Sequence, residues 1–264
     1  MNKPLRKSIS YKMAIAMTLM CCTFNSFATE FQTKIVLFPY RRAVIPSLVD
    51  SVINKYNVKE GESFKKGEII AQLDDRTYRQ VLNKAISTEK ESKANCLFAE
   101  KYYKSSLNLF KKGFQGEEQL NKAKLDFEIA KSKLNAAEAQ RALIELQLNA
   151  CTIKAPFDGR LIKKAIQEHE FVRSGQPFMS IIDDNKLLAV MHLPSHQKNV
   201  IKIGDKIKMR VDETKTVHTG SVYEISGEID PGSRTLEIKA IINNNPGKLT
   251  AGMSGVLLPN KIKK

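Results

Sequence analysis

Three hydrophobic rhythms divide the chain. Residues 45–75 and 153–183 hold short apolar, β-branched runs cut by Gly, Pro and charged turns, which predicts strands. Residues 76–150 contain no proline, and their apolar positions recur every seven residues, which predicts helix. Residues 185–264 alternate again, as in Lys206-Ile207-Lys208-Met209-Arg210-Val211 and Thr235 to Ile241, with breaks at Asp230-Pro231-Gly232 and Asn245-Pro246-Gly247. Several short antiparallel strands of this kind predict a small barrel.

The two β-rich stretches are copies of each other. At a constant offset of 108 residues they share Ile45/Ile153, Asp50/Asp158, Lys55/Lys163, Glu60/Glu168, Glu62/Glu170, Gly67/Gly175 and Asp75/Asp183. Apolar positions stay in phase as well: Ile53/Leu161, Val58/Ile166, Phe64/Val172, Ile70/Phe178 and Leu73/Ile181. Each copy offers about four short strands, too few to close a core alone, so two facing copies are expected to form one small sandwich. The stretch from Thr33 to Phe38 could add a strand ahead of the first copy.

The intervening segment reads as two helices, about 76–112 and 117–150. Lys112-Gly113-Phe114-Gln115-Gly116-Glu117 between them supplies a helix stop and an acidic new start. At 1.5 Å per residue each helix would reach ~50–55 Å. One seam of the second helix carries Leu120, Phe127, Leu134, Arg141 and Leu148, with Ala123, Ala130, Ala137, Ile144 and Cys151 three residues on. The first helix answers with Leu82, Glu89, Cys96, Tyr103 and Phe110 against Ala85, Ser92, Ala99 and Ser106. A period of 3.5 sustained over four heptads is a coiled-coil signature, and the short turn makes the helices antiparallel. Facing residues then sum to roughly 229, which places Glu89 near Arg141 as a pair. The same register leaves Cys96 and Cys151 about 18 residues apart along the arm, or ~27 Å. That is beyond the ~7 Å limit for a bridge within one chain.

Charge becomes informative once the address is known. Lys3, Arg6, Lys7 and Lys12 precede an apolar run from Met13 to Phe24, and Ser26-Phe27-Ala28 supplies small residues at a cleavage site. Residues 1–28 are therefore expected to be a secretory signal peptide cleaved after Ala28. Its apolar run is shorter than the ~20 residues of a spanning helix. Removing it lowers the formal charge of +15 to +11, a basic balance outside the reach of nucleic acid. Attraction to anionic lipid head groups fits this balance and the Lys261-Ile262-Lys263-Lys264 tail.

Catalytic chemistry is sparse. His192 and His196 are separated by Pro194 in strand-like sequence, so they would not share a helical face. His169 and His218 stand alone, and Met179, Met191, Met209 and Met253 are scattered, so no metal site is expected. No phosphate-binding loop or Ser/His/Asp set appears in a fitting context. No cofactor is expected either. A carrier lysine would sit on the turn joining the two β-rich copies, where this chain has Asp74-Asp75-Arg76 and then helix, with Lys84 already inside it.

The order of these parts, with Val58 to Asp74, Ile153-Lys-Ala-Pro-Phe-Asp-Gly159, Glu170-Phe-Val-Arg-Ser-Gly175, Ser233-Arg234-Thr235 and Leu249-Thr-Ala-Gly-Met253, resembles the periplasmic adaptor subunits, or membrane fusion proteins, of Gram-negative tripartite efflux pumps. The resemblance implies an elongated α+β fold: a split lipoyl-like β-sandwich (43–75 and 151–184), an inserted antiparallel hairpin (76–150), a β-barrel (185–264), and residues 29–42 as a strand segment joining the barrel. It implies no enzyme and no cofactor. The partners it implies are an inner-membrane transporter, an outer-membrane channel and further copies of the chain in a hexamer, with peripheral contact to the inner membrane. The signal peptide resembles the resistance-nodulation-division class more than the ABC-type exporters, whose adaptors are the alternative; a secreted coiled-coil binding protein without a pump is another. The family's usual membrane-proximal domain is expected to be absent or vestigial. At the hairpin tip the family motif falls on Ser105, Leu109 and Gly116, of which only the Leu is kept; with Gly113 and Phe114 these are the expected channel contacts. Arg234, Lys261, Lys263 and Lys264 are the expected transporter-proximal residues.

Overall fold

A computed structural model describes residues 33–244 and 247–258. The expected leader and the Lys261–Lys264 tail lie outside the described residues. The elements are β1 (Lys34–Pro46), β2 (Ser51–Tyr56), β3 (Ser63–Phe64), β4 (Ile69–Leu73), α1 (Arg76–Lys111), α2 (Glu117–Ala150), β5 (Thr152–Lys154), β6 (Gly159–Lys164), β7 (Phe171–Val172), β8 (Pro177–Pro194), β9 (Lys206–Val211), β10 (Val217–Asp230), β11 (Thr235–Asn243) and β12 (Ser254–Leu257). The fold is α+β.

The repeated stretches meet face to face. One layer runs β1–β8–β6–β3 and the other β5–β4–β2–β7, so each strand has its counterpart from the other copy. Their matched apolar positions, Ile53 with Leu161, Phe64 with Val172, Ile70 with Phe178 and Leu73 with Ile181, fill a single buried core. The shared acidic residues are explained by reciprocity. Asp158 accepts from the Lys66 amide at 2.7 Å, and Asp50 accepts from the Ser174 amide at 2.7 Å. Glu168 accepts from the Tyr56 amide at 2.8 Å, while Glu60 takes that of Lys164. Each copy thus satisfies loop donors of the other, which neither could do alone. At Gly61 the backbone turns left-handed (φ 81°), and its counterpart His169 does the same at φ 70° without the freedom of glycine.

Two strands serve two layers. The first half of β1 and the second half of β8 leave the sandwich and pair within the ring β1–β12–β9–β10–β11–β8, closed by Val36 opposite Val190. Alternation places Leu236, Ile238, Ala240 and Ile242 of β11 and Ile207, Met209 and Val211 of β9 inside this barrel. A register shift between Pro39 and Arg41 marks the crossing from barrel to sandwich on β1. Around it Arg41 lies over the rings of Tyr40 and Phe157, and Lys186 over Tyr40.

The arm leaves from the other exit of the repeat. Gln72 pairs with Thr152 where α1 departs and α2 returns, as Arg41 pairs with Asp183 where the barrel departs. The helices pack antiparallel along the seam: Arg141 Nη1 donates to Glu89 Oε2 at 3.0 Å, and the Tyr103 and Phe127 rings stack at 6.0 Å. Ala85, Cys96, Ser106, Ala123, Ala137 and Ile144 are buried there, whereas Phe110, at the outer end of α1, is exposed. Cys96 and Cys151 are free and buried, the second within the sandwich core.

Candidate functional site

The outer end of the arm is built by two helix termini back to back. α1 stops because Gly113 adopts φ 76°, which lets its amide reach the Phe110 carbonyl at 2.9 Å and the Phe114 amide reach that of Leu109 at 2.9 Å. This is the Schellman arrangement, and it returns the chain with two carbonyls satisfied. α2 starts at Gly116, whose extended backbone donates its N–H to Gln119 Oε1 at 3.1 Å. Glu117 and Glu118 place negative charge at that helix start, where the dipole favours it.

The turn therefore holds a rigid apolar point. Phe114 is 79% exposed and Leu109 42%. Ser105, one turn below Leu109, is also exposed. Gln115 bridges back to the buried Ser106 hydroxyl at 3.4 Å, holding the loop against the seam. Ser105, Leu109, Gly113, Phe114 and Gly116 are thus gathered at one end of the arm. Such an exposed apolar surface can bind protein.

Arg234 sits elsewhere, in the turn joining β10 to β11. Its backbone is left-handed (φ 54°), and its amide donates to the Asp230 carbonyl at 2.8 Å. Asp230 Oδ1 accepts from the Ser233 amide and hydroxyl, which holds its carboxyl below the usual range. The turn thus presents an exposed guanidinium at the barrel's end, next to the Pro194 end of β8.

At the root of the arm, a polar cleft is lined by Asn54, Gln72, Asp74, Asp75, Arg76 and Arg79. Its charges are already paired, Arg76 with Asp74 at 2.6 Å and Arg79 with Asp75 at 2.7 Å. The Arg76 hydrogen bonds hold the Asp74 carboxyl down at about 2. Next to it, burial pushes the Cys151 thiol up to about 11, with Asp75 and Asp74 adding repulsion. Burial likewise raises the Tyr56 hydroxyl to about 12, and that hydroxyl donates to the Ile166 carbonyl at 2.7 Å. These are structural groups at the meeting of the two copies. Among the described residues no group of three or more His, Cys, Asp or Glu side chains could hold a metal ion. Among them, too, no helix is long and apolar enough to cross a membrane.

Comparison with known proteins follows the same division. Residues 41–184 match the family model "RND MFP, barrel-sandwich hybrid domain". The chain belongs to the RND membrane fusion protein family. Residues 189–258 of this membrane fusion protein also match the model "CusB-like, beta-barrel domain". It is 24% identical over 235 residues to Nodulation protein NolF of Rhizobium meliloti (strain 1021), covering 87% of this chain and 63% of the relative. It is 24% identical over 214 residues to Multidrug resistance protein MdtA of Escherichia coli (strain SMS-3-5 / SECEC), covering 78% of this chain and 52% of that one. The chain thus spans less than two thirds of these relatives' length. In fold it is similar to MacA from Actinobacillus actinomycetemcomitans, with TM-score 0.69 at 19% identity over 86% of this chain and 78% of the other. Spr0693 from Streptococcus pneumoniae R6 also gives TM-score 0.69, at 12% identity over 88% and 99%.

What the sequence did not expose is how β1 and β8 are shared between two cores. Polar residues interrupt both apolar patterns at the crossing, Tyr40-Arg41-Arg42 in β1 and Asp183 to Lys186 in β8, close to the expected boundaries at 42/43 and 184/185, but the backbone continues as one strand through each, with a register shift at Pro39/Arg41.

Proposed function

We propose that this protein is the periplasmic adaptor of a tripartite efflux system, joining an inner-membrane transporter of the resistance-nodulation-division type to an outer-membrane channel. The observation that supports it best is the arm itself: ~50 Å of paired helix leaving one exit of a two-copy sandwich while a barrel leaves the equivalent other exit. A rigid coupler needs that geometry and no catalytic group. In this reading the protein works outside the cytoplasm, against the inner membrane, as several copies around a conduit, six by family resemblance. The barrel end with Arg234 rests on the transporter, and the basic residues Lys261, Lys263 and Lys264 supply charge for the transporter and the lipid head groups. The arm's end, with Leu109 and Phe114 on the frame of Ser105, Gly113 and Gly116, docks the channel. The transporter supplies the energy and carries the substrate. The match of residues 41–184 to the RND membrane fusion protein model supports this transporter class over an ABC exporter.

Leu109→Asp tests the docking. Leu109 is already partly in solvent, so the variant is expected to fold and accumulate outside the cytoplasm while export in a strain lacking the native gene is lost. Undiminished export by the variant would remove the tip from the mechanism.

A further inference from the structure

The end of the barrel farthest from the sandwich carries apolar surface that the described residues leave uncovered. Residues 195–205 cross that end, from Pro194 at the close of β8 to Lys206 at the start of β9. Ile201 packs against the barrel core and pins the loop at its middle. Its neighbours face solvent: Val200 is 54% exposed and Ile203 69%, with exposed Lys198 and Lys202 interleaved. The backbone is tied on both sides, the Ser195 amide donating to the Arg234 carbonyl at 3.0 Å and the Gly204 amide to that of Val222 at 2.8 Å. The loop's one carboxylate, Asp205, accepts from the Lys202 amide at 2.8 Å. Neither Lys198 nor Lys202 has an ion-pair partner among the described residues. Both ends of the described chain come to this place as well. The Leu257 amide donates to the Thr33 carbonyl at 2.9 Å and the Leu258 amide to that of Lys208 at 2.9 Å. Within the next six residues come Lys261, Lys263 and Lys264.

We infer that this loop is a membrane wedge: Val200 and Ile203 enter the boundary between head groups and acyl chains of an anionic bilayer, and Lys198 and Lys202 meet the phosphates around them. A lipid surface is the occupant that fits. It is apolar beneath and anionic on top, as this loop is apolar at its tips and cationic between them. Lysine can serve both layers, because its stem lies along apolar surface while its ammonium stays with the head groups. The core of a protein interface is instead depleted of charge, and lysine is among the residues it avoids. The tail lysines extend the same sign of charge from the same end of the barrel. The inference rests on the adaptor reading only in placing this end beside the inner membrane. It goes beyond that reading in holding the protein on the bilayer through its own barrel loop, without the transporter.

The chain contains no tryptophan, so Ile203→Trp places a single fluorescent reporter on the wedge, and Phe171→Trp places one on the exposed surface of the sandwich. The purified full chain of each variant is titrated with vesicles of equimolar phosphatidylcholine and phosphatidylglycerol, without transporter. The reporter at 203 should shift to the blue and be quenched by lipids brominated on their acyl chains, while the reporter at 171 should do neither. In sedimentation with the same vesicles, Ile203→Asp in the otherwise parental chain should bind at least about tenfold more weakly. Lys198→Gln combined with Lys202→Gln should weaken binding on the order of tenfold, as should vesicles of phosphatidylcholine alone. All these side chains are exposed, so the fold of the barrel is kept. A parental chain left in the supernatant would mean that the loop meets a protein and would overturn the inference. A reporter at 203 that stays in water on bound protein, or an Ile203→Asp variant that binds as the parent does, would leave attachment to the tail and overturn it equally. The adaptor reading would still stand or fall on the Leu109→Asp export assay.

Discussion

Replacing Ala123 by leucine should push the two helices apart close to the tip. Ala123 is fully buried and, in the register set by Tyr103 and Phe127, faces Ser106, which is also buried. Large rungs, Tyr103 with Phe127 and Phe110 near Leu120, flank this small one, so the backbones approach where no side chain keeps them apart. A leucine adds three carbons to a site without room for them, and overpacking of this kind costs about 1–3 kcal/mol. Ala123→Gly is the control, since it costs about 1 kcal/mol of helix propensity and leaves the gap open. Melting followed by far-ultraviolet circular dichroism should place both variants below the parent, by about 2–4 °C for each kcal/mol in a chain of this size. Export should separate them. The leucine variant splays Leu109 and Phe114 and loses transport, while the glycine variant keeps it. A leucine variant that melts with the parent and exports normally would show that the seam is not tightly packed and would refute the reasoning.

Further outcomes follow from the same geometry. Asp50→Ala and Asp158→Ala each delete one carboxylate bond to an amide of the other copy, so each should cost about 1–2 kcal/mol, and the two costs should match in denaturant titrations; a large inequality would contradict the internal symmetry. Gly159→Ala would drive a methyl group into the Ile182 carbonyl oxygen and break the β6–β8 pairing. It should cost at least about 3 kcal/mol, while Gly227→Ala, with nothing within 4 Å, should be neutral in the same melts. Cys151 and Tyr56 have folded values raised from 9.0 to about 11 and from 10.0 to about 12. Both favour the protonated form, so their contribution is full below the unfolded values and is lost as pH rises through the folded ones. Stability should therefore begin to fall above about pH 9, and Cys151, identified by difference from Cys151→Ser, should resist a thiol reagent at pH 8 until the chain is denatured. Rapid labelling of the folded protein would count against the burial.

The parts legible in the sequence were those written in local periodicity. The heptads from Leu82 to Leu148 announced two long helices, and their phase brought Glu89 to Arg141 across 52 residues of chain. The matched apolar phase of 45–75 and 153–183 announced two halves of one core, because burial selects the same positions wherever two copies adopt the same strands. The tip turn could be read from Gly113, since a left-handed helix stop needs glycine there. Tertiary structure alone decided the rest. That Asp50 and Asp158 each cap a loop of the other copy, that His169 takes the left-handed conformation its counterpart leaves to Gly61, and that β1 and β8 pass from sandwich to barrel in mid-strand all depend on partners brought in from other parts of the chain. The exposed apolar residues of α2, Leu125, Ile129, Leu143 and Leu146, belong with them, because only the packed hairpin reveals which apolar positions its seam covers. A pattern of apolar residues records which positions are to be covered, and the folded chain determines what covers them.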